Sequence, residues 1–159
     1  MKSLLSLVLM LVSSSLLAFG PQFPVGPNQK LTPGKLCDKP TAHRYPEQIA
    51  YCERDVSYET KEILIKNYDQ KLGFQIESMD RAEFKIDHFI PLCAGGSNDT
   101  VNLWPQHKSV YEITDPVEPL ICEKMLNGRL KQADAINLIM KAKLNLSQVP
   151  AVMKVLNSL

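Results

Sequence analysis

"KIDHFIPLCAGGSNDTVNLWPQH", residues 85–107, carries two of the chain's three histidines, its single tryptophan and its only Gly-Gly pair. Phe84, Ile86 and His88 alternate along one face, which predicts a β-strand ended by Pro91. "AGGSND" is turn chemistry, and "VNLWPQ" reads as a short second strand or extended segment. The stretch therefore predicts a β-hairpin that presents Asp87, His88 and Asn102 and feeds a helix.

Upstream of it, Leu64, Tyr68 and Leu72 recur every four residues, Ile65 widens the stripe and Gly73 is a stop, so a helix is expected from Ser57. Downstream, Asp115, Pro116 and Glu118 have the pattern of a cap, a first-turn proline and a capping-box glutamate, which predicts a helix starting at Asp115 and ending at Asn127-Gly128. A last helix is expected from Gln132 to Lys143 with Ile136, Ile139 and Met140 inward, followed by an amphipathic tail. The fold class expected is α+β, mostly helical.

At 159 residues, 45% hydrophobic and 22% charged, the chain suits one core and one domain. Residues 1–18 read as a signal peptide: Lys2, the apolar run "SLLSLVLMLVSSSLLAFG" and a small residue, Ala18, where a peptidase would cut. Three serines interrupt the run, which argues against a stable membrane span. Residues 19–35, rich in Pro and Gly, read as a flexible leader, and residues 36–159 as the domain. A secreted or periplasmic location follows, with no stable membrane association after cleavage.

Export makes the four cysteines read as two disulfides. Of three connectivities, Cys37 with Cys52 and Cys93 with Cys122 is favoured: the first closes a short loop, and the second ties the motif loop to the helix after it. Without Lys2, the 18 basic side chains fall to the same number as the 17 acidic ones. A near-neutral chain counts against a purely electrostatic nucleic-acid binder, so phosphate contacts need a local basic surface, for which Lys30, Arg54, Lys71, Arg81, Lys85 and Lys108 are among the candidates.

An Asp-His pair aimed from a hairpin, with an asparagine on the returning strand, suits phosphodiester hydrolysis. A neutral imidazole takes a proton from water, a carboxylate holds a divalent cation, and an amide braces the hairpin. Blander readings stand beside these: Asp115 as a helix cap, His107 as a surface or phosphate-contacting side chain, Trp104 as core packing, and His43 as structural.

"IDHFIPLCAGGSNDTVNLWPQ" resembles the HNH endonucleases, the ββα-metal finger group, and in particular small bacterial members with Asp-His, Pro-Leu, Gly-Gly and Asn-Leu-Trp-Pro in this order. The close similarity covers residues 84–106; "TDPVEPLICEKMLNGRLKQADA" continues it more weakly, and "RYPEQIAYCERDVS" is similar to a segment of exported members. The resemblance implies His88 as general base, Asp87 as metal ligand and Asn102 as the central asparagine of the hairpin. An oxygen-donor site predicts Mg²⁺, or Mn²⁺ in its place, because carboxylate and amide oxygens suit hard cations. The expected substrate is DNA, with RNA the other nucleic acid in view, and little sequence specificity is expected because the chain is too small for a separate recognition module.

The family's last metal ligand, a His or Asn on the helix, falls on Tyr111 here, and a phenol is a poor ligand for a hard cation at neutral pH. Asp115 is the expected substitute, with His107, Glu112 and Glu118 behind it. Two alternatives stay open: a catalytically inactive HNH-derived binding or structural module of the cell envelope, and a delivered toxin with an immunity protein.

Overall fold

The structure is a computed structural model that describes residues 22–159; the expected signal peptide, residues 1–18, lies outside the described residues, as do residues 19–21 of the expected leader. The architecture is α+β, with helix the larger share and two small antiparallel hairpins. The elements run β1 (Ala42–Arg44), β2 (Ile49–Tyr51), α1 (Tyr58–Leu72), β3 (Phe84–His88), β4 (Leu103–His107), α2 (Lys108–Thr114), α3 (Val117–Leu126), α4 (Gln132–Leu144) and α5 (Val149–Asn157).

Helix α1 forms where its periodicity places it. Ser57 caps it by accepting from the Thr60 N–H at 3.1 Å, and Gly73 ends it in the left-handed conformation at φ 77°. Its buried face is Leu64, Ile65 and Tyr68.

Strands β3 and β4 pair from Phe84↔His107 to His88↔Leu103, so the expected hairpin is present with Asp87 opposite Trp104. The intervening loop turns on Gly95, at φ 85°, and Gly96, where a Cβ would collide with the carbonyl oxygen of Ile90. Both positions therefore require glycine.

The expected helix start at Asp115 is corrected by the structure. His107 caps an earlier helix, α2, its Nδ1 accepting from the Ser109 N–H at 3.2 Å. Asp115 lies at the end of α2, its N–H donating to the Tyr111 carbonyl at 2.8 Å, and α3 follows from Val117 without the Asp115–Glu118 capping box. Pro119 falls in the first turn of α3, where a missing N–H costs no helical hydrogen bond.

Two apolar clusters flank the β3–β4 hairpin. One gathers Val117, Ile121 and Met125 of α3, Ala135, Ile139 and Ala142 of α4, and Val149, Val152 and Leu156 of α5. The other gathers the buried face of α1 with Phe84, Ile86, Phe89, Leu103, Trp104 and Val110. Met140 packs against both. Trp104 is fully buried, the core role expected of it.

The stretch expected as a flexible leader is laid against the domain over residues 22–35. Phe23 stacks on His107 with ring centroids 3.9 Å apart. Thr32 is buried, its hydroxyl donating to the Leu103 carbonyl at 2.9 Å and sharing a 2.8 Å hydrogen bond with the Tyr68 hydroxyl. Side chains with apolar or hydrogen-bonding reach, set among the prolines, anchor a segment whose overall composition imitates a linker.

All four cysteines are paired, Cys37 with Cys52 and Cys93 with Cys122, as expected. Among the described residues, no helix is long and apolar enough to cross a membrane. Disulfides of this kind persist in oxidising compartments, which is compatible with an extracellular setting.

Candidate functional site

Asn102 organises the loop between the strands. It is fully buried; its Oδ1 accepts from the Ile90 N–H at 2.9 Å, and its Nδ2 donates to the carbonyls of Ile90 at 3.0 Å and Ser97 at 2.8 Å. Its own carbonyl accepts from the Phe89 N–H at 2.7 Å. One amide thus ties the exit of β3 to the entry of β4.

His88, at the end of β3, is buried and engaged at both ring nitrogens. Its Nδ1 lies 3.2 Å from a guanidinium nitrogen of Arg54, and its Nε2 lies 3.0 Å from Asn98 Oδ1. Asn98 Nδ2 donates to the Glu53 carbonyl at 2.7 Å, which turns its oxygen toward the imidazole. A guanidinium only donates, so Nδ1 carries the lone pair and Nε2 the proton. Burial above all, with the Arg54 charge adding to it and the Asn98 hydrogen bond opposing it, holds the imidazole pKa down at about 4, so the ring is neutral at pH 7.

Arg54 is itself exposed and is steadied by a second bond, donating to the Ile86 carbonyl at 2.8 Å. Its placement comes from the segment after β2. Cys52 is linked to Cys37, whose N–H donates to the Gly95 carbonyl at 2.8 Å, while the Ser97 N–H donates to the Lys35 carbonyl at 2.9 Å. The motif loop, the Cys37–Cys52 crosslink and Arg54 are therefore one assembly around His88.

Asp87 points the other way. Successive strand side chains alternate between faces, and Asp87 shares its face with Lys85 in a chain of alternating charges. Asp115 pairs with Lys85, Lys85 lies 3.7 Å from Asp87, Asp87 lies 2.6 Å from Lys143, and Lys143 lies 2.6 Å from Glu118. Lys143 also donates to the His88 carbonyl at 2.6 Å. Burial pushes the Asp87 carboxyl up, but Lys143 and Lys85 outweigh it and hold it below the usual range; burial likewise lowers Lys143, and Asp87 and Glu118 outweigh it and raise it.

The expected metal ligands, Asp87 and Asp115, do not fit a divalent cation as placed. Each faces a lysine ammonium, and a hard cation needs several oxygens turned toward one point. No group of three or more His, Cys, Asp or Glu among the described residues has the arrangement of a metal site. The substitutes are also engaged: His107 caps α2 and stacks on Phe23, Glu112 is 3.9 Å from Lys108, and Glu118 holds Lys143. Tyr111 lies against Lys85, whose ammonium is 4.9 Å from the ring centroid.

Sequence reasoning counted Arg54 only as one of many basic residues and placed neither Asn98 nor Lys143 in the site. Arg54 and Lys143 lie 34 and 55 residues from His88, and no local pattern marks either. Comparison of the chain with family models, curated proteins and solved structures gives no match.

Proposed function

We propose that the chain is an exported nuclease of HNH type that hydrolyses phosphodiester bonds of DNA or RNA, with His88 as general base. The observation that carries this reading is the neutral His88 imidazole with its Nδ1 lone pair against an exposed arginine. Guanidinium forks match phosphate oxygens in geometry and charge. When a phosphodiester draws Arg54 onto its oxygens, Nδ1 is released to take a proton from water.

The attacking water then forms its bond to phosphorus as the bond to the leaving oxygen breaks, and the leaving oxygen takes a proton from solvent or from the imidazolium. The sum is a phosphodiester plus water giving a phosphomonoester and an alcohol. The nearby phosphate anion raises the basicity of His88 at the moment it is needed. Asn98 holds the Nε2–H tautomer and Asn102 holds the loop.

A local basic surface also supports a nucleic-acid substrate. A cleft of about 240 Å³, lined in part by Lys30, Asn67, Lys71 and Thr100 and separate from the residues that touch His88, carries two lysines. Neutral net charge is thus compatible with a phosphate track of limited extent.

A second reading, an HNH-derived binding module, is favoured by one observation: Lys143 occupies Asp87, the carboxylate to which the resemblance assigns a metal. The two are separated by incubating the oxidised chain with supercoiled plasmid and with labelled single-stranded RNA. Cleavage by the wild type that is lost in His88→Ala supports the nuclease; retention of nucleic acid without cleavage in either protein supports the module.

A further inference from the structure

Lys143 is the most deeply buried charge among the described residues, and no step of the chemistry above uses it. Its ammonium has three N–H groups and three acceptors, Asp87 Oδ2, the His88 carbonyl and Glu118 Oε1, each at 2.6 Å. The donor set is complete. The acceptors are three oxygens from two elements, β3 and α3, converging on one point, and that point is filled by a side chain from a third, α4.

Those acceptors, two carboxylates and a carbonyl, are also the types that bind a hard divalent ion. The ammonium cannot share them with such an ion, because two cations at one point repel in a low-dielectric interior. Nor does the lysine have an obvious place to retreat: its side chain is 1% exposed, and Gly26 packs so closely on its backbone that a Cβ there would lie 2.7 Å from the Lys143 carbonyl oxygen.

We infer that Lys143 is a built-in cation that fills the cation position beside β3, so that Asp87 and Glu118 serve as its counter-ions and bind no divalent metal. The occupancy stands independently of the nuclease reading. Its consequence for activity, that cleavage persists in EDTA, rests on that reading.

The test is Mn²⁺ binding to the folded, oxidised wild type, measured by calorimetry and by the thermal midpoint, beside Asp87→Asn and Lys143→Ala. The inference expects no saturable Mn²⁺ binding by the wild type at millimolar concentration, or binding that Asp87→Asn leaves unchanged and that therefore belongs elsewhere. In Lys143→Ala the two freed carboxylates accept Mn²⁺, and the midpoint rises with the metal by more than the wild type's does. Saturable wild-type binding that an Asp87→Asn protein shown to be folded abolishes, or that Glu118→Gln abolishes, overturns the inference, and it does so whether or not the protein cleaves nucleic acid. If Lys143→Ala does not fold, the wild type with Asp87→Asn and Glu118→Gln decides the matter.

Discussion

Asp87 and His88 are consecutive in β3, yet Asp87 is held by Lys143 at 2.6 Å while His88 is held between Arg54 and Asn98 at 3.2 and 3.0 Å. The pair divides its labour between two faces of one strand: a buried ion pair that fixes the strand to α4, and an imidazole offered toward an exposed cation. Asp87→Ala therefore acts on stability first. Removing one partner of a buried pair leaves the other charge uncompensated, with a loss of about 3–5 kcal/mol. Urea unfolding checks this, with His88→Gln as the comparison expected to lose activity at little structural cost.

His88 makes stability depend on pH. Its folded pKa of about 4 lies below the ordinary 6.5, so the unfolded chain takes up the proton first as pH falls. Stability is therefore lost from pH 6.5 down to pH 4, by about 3 kcal/mol in all. Asp87, whose pKa is depressed, loses its contribution only below the ordinary carboxylate range, as pH falls through its folded value. Denaturant titrations at pH 7 and pH 4 are expected to show the loss in the wild type and a much smaller one in His88→Gln; equal losses would contradict the assignment.

Asn102 contributes through the backbone groups that it satisfies. Asn102→Ala removes three buried hydrogen bonds at once and leaves Ile90 and Ser97 groups without partners. A loss of about 3 kcal/mol is expected, at roughly 1 kcal/mol per bond. Hydrogen exchange is expected to rise first at the Ile90 amide and through the 90–97 loop.

The two disulfides are expected to fail differently. Opening Cys37–Cys52, by substituting serine at both positions, loosens the segment that carries Arg54 and raises KM for a phosphodiester substrate. Opening Cys93–Cys122 releases the motif loop from α3 and shows chiefly as lower stability. Chain entropy alone sets the stability change at about 3 kcal/mol for the shorter loop and somewhat more for the longer. Paired KM and unfolding measurements on the two double variants separate the effects.

The hairpin, α1 and the disulfide pairing were legible because each is written locally: alternation with a turn, a four-residue period between Ser57 and Gly73, and cysteines in two short loops. The helix start at Asp115 misled because Asp-Pro-x-Glu is a good cap pattern, while an imidazole at His107 outcompeted it by capping α2 first. Residues 22–35 misled because Pro and Gly dominate their composition, although Phe23 and Thr32 supply the anchors. Lys143 and Arg54 were invisible as site residues because a lysine in a last helical turn and an arginine after a cysteine normally face solvent. Only the tertiary fold brings them to His88.

The claim that His88 and Arg54 act on one phosphodiester is tested most directly by a double-mutant cycle in kcat/KM with a nucleic-acid substrate, using His88→Ala, Arg54→Ala and both together. Each single variant is expected to lose about 10²–10⁴-fold, the range found for general-base groups, and the double variant to lose far less than the product of the two. Losses that simply multiply, or an Arg54→Ala variant as active as the wild type, would contradict the account.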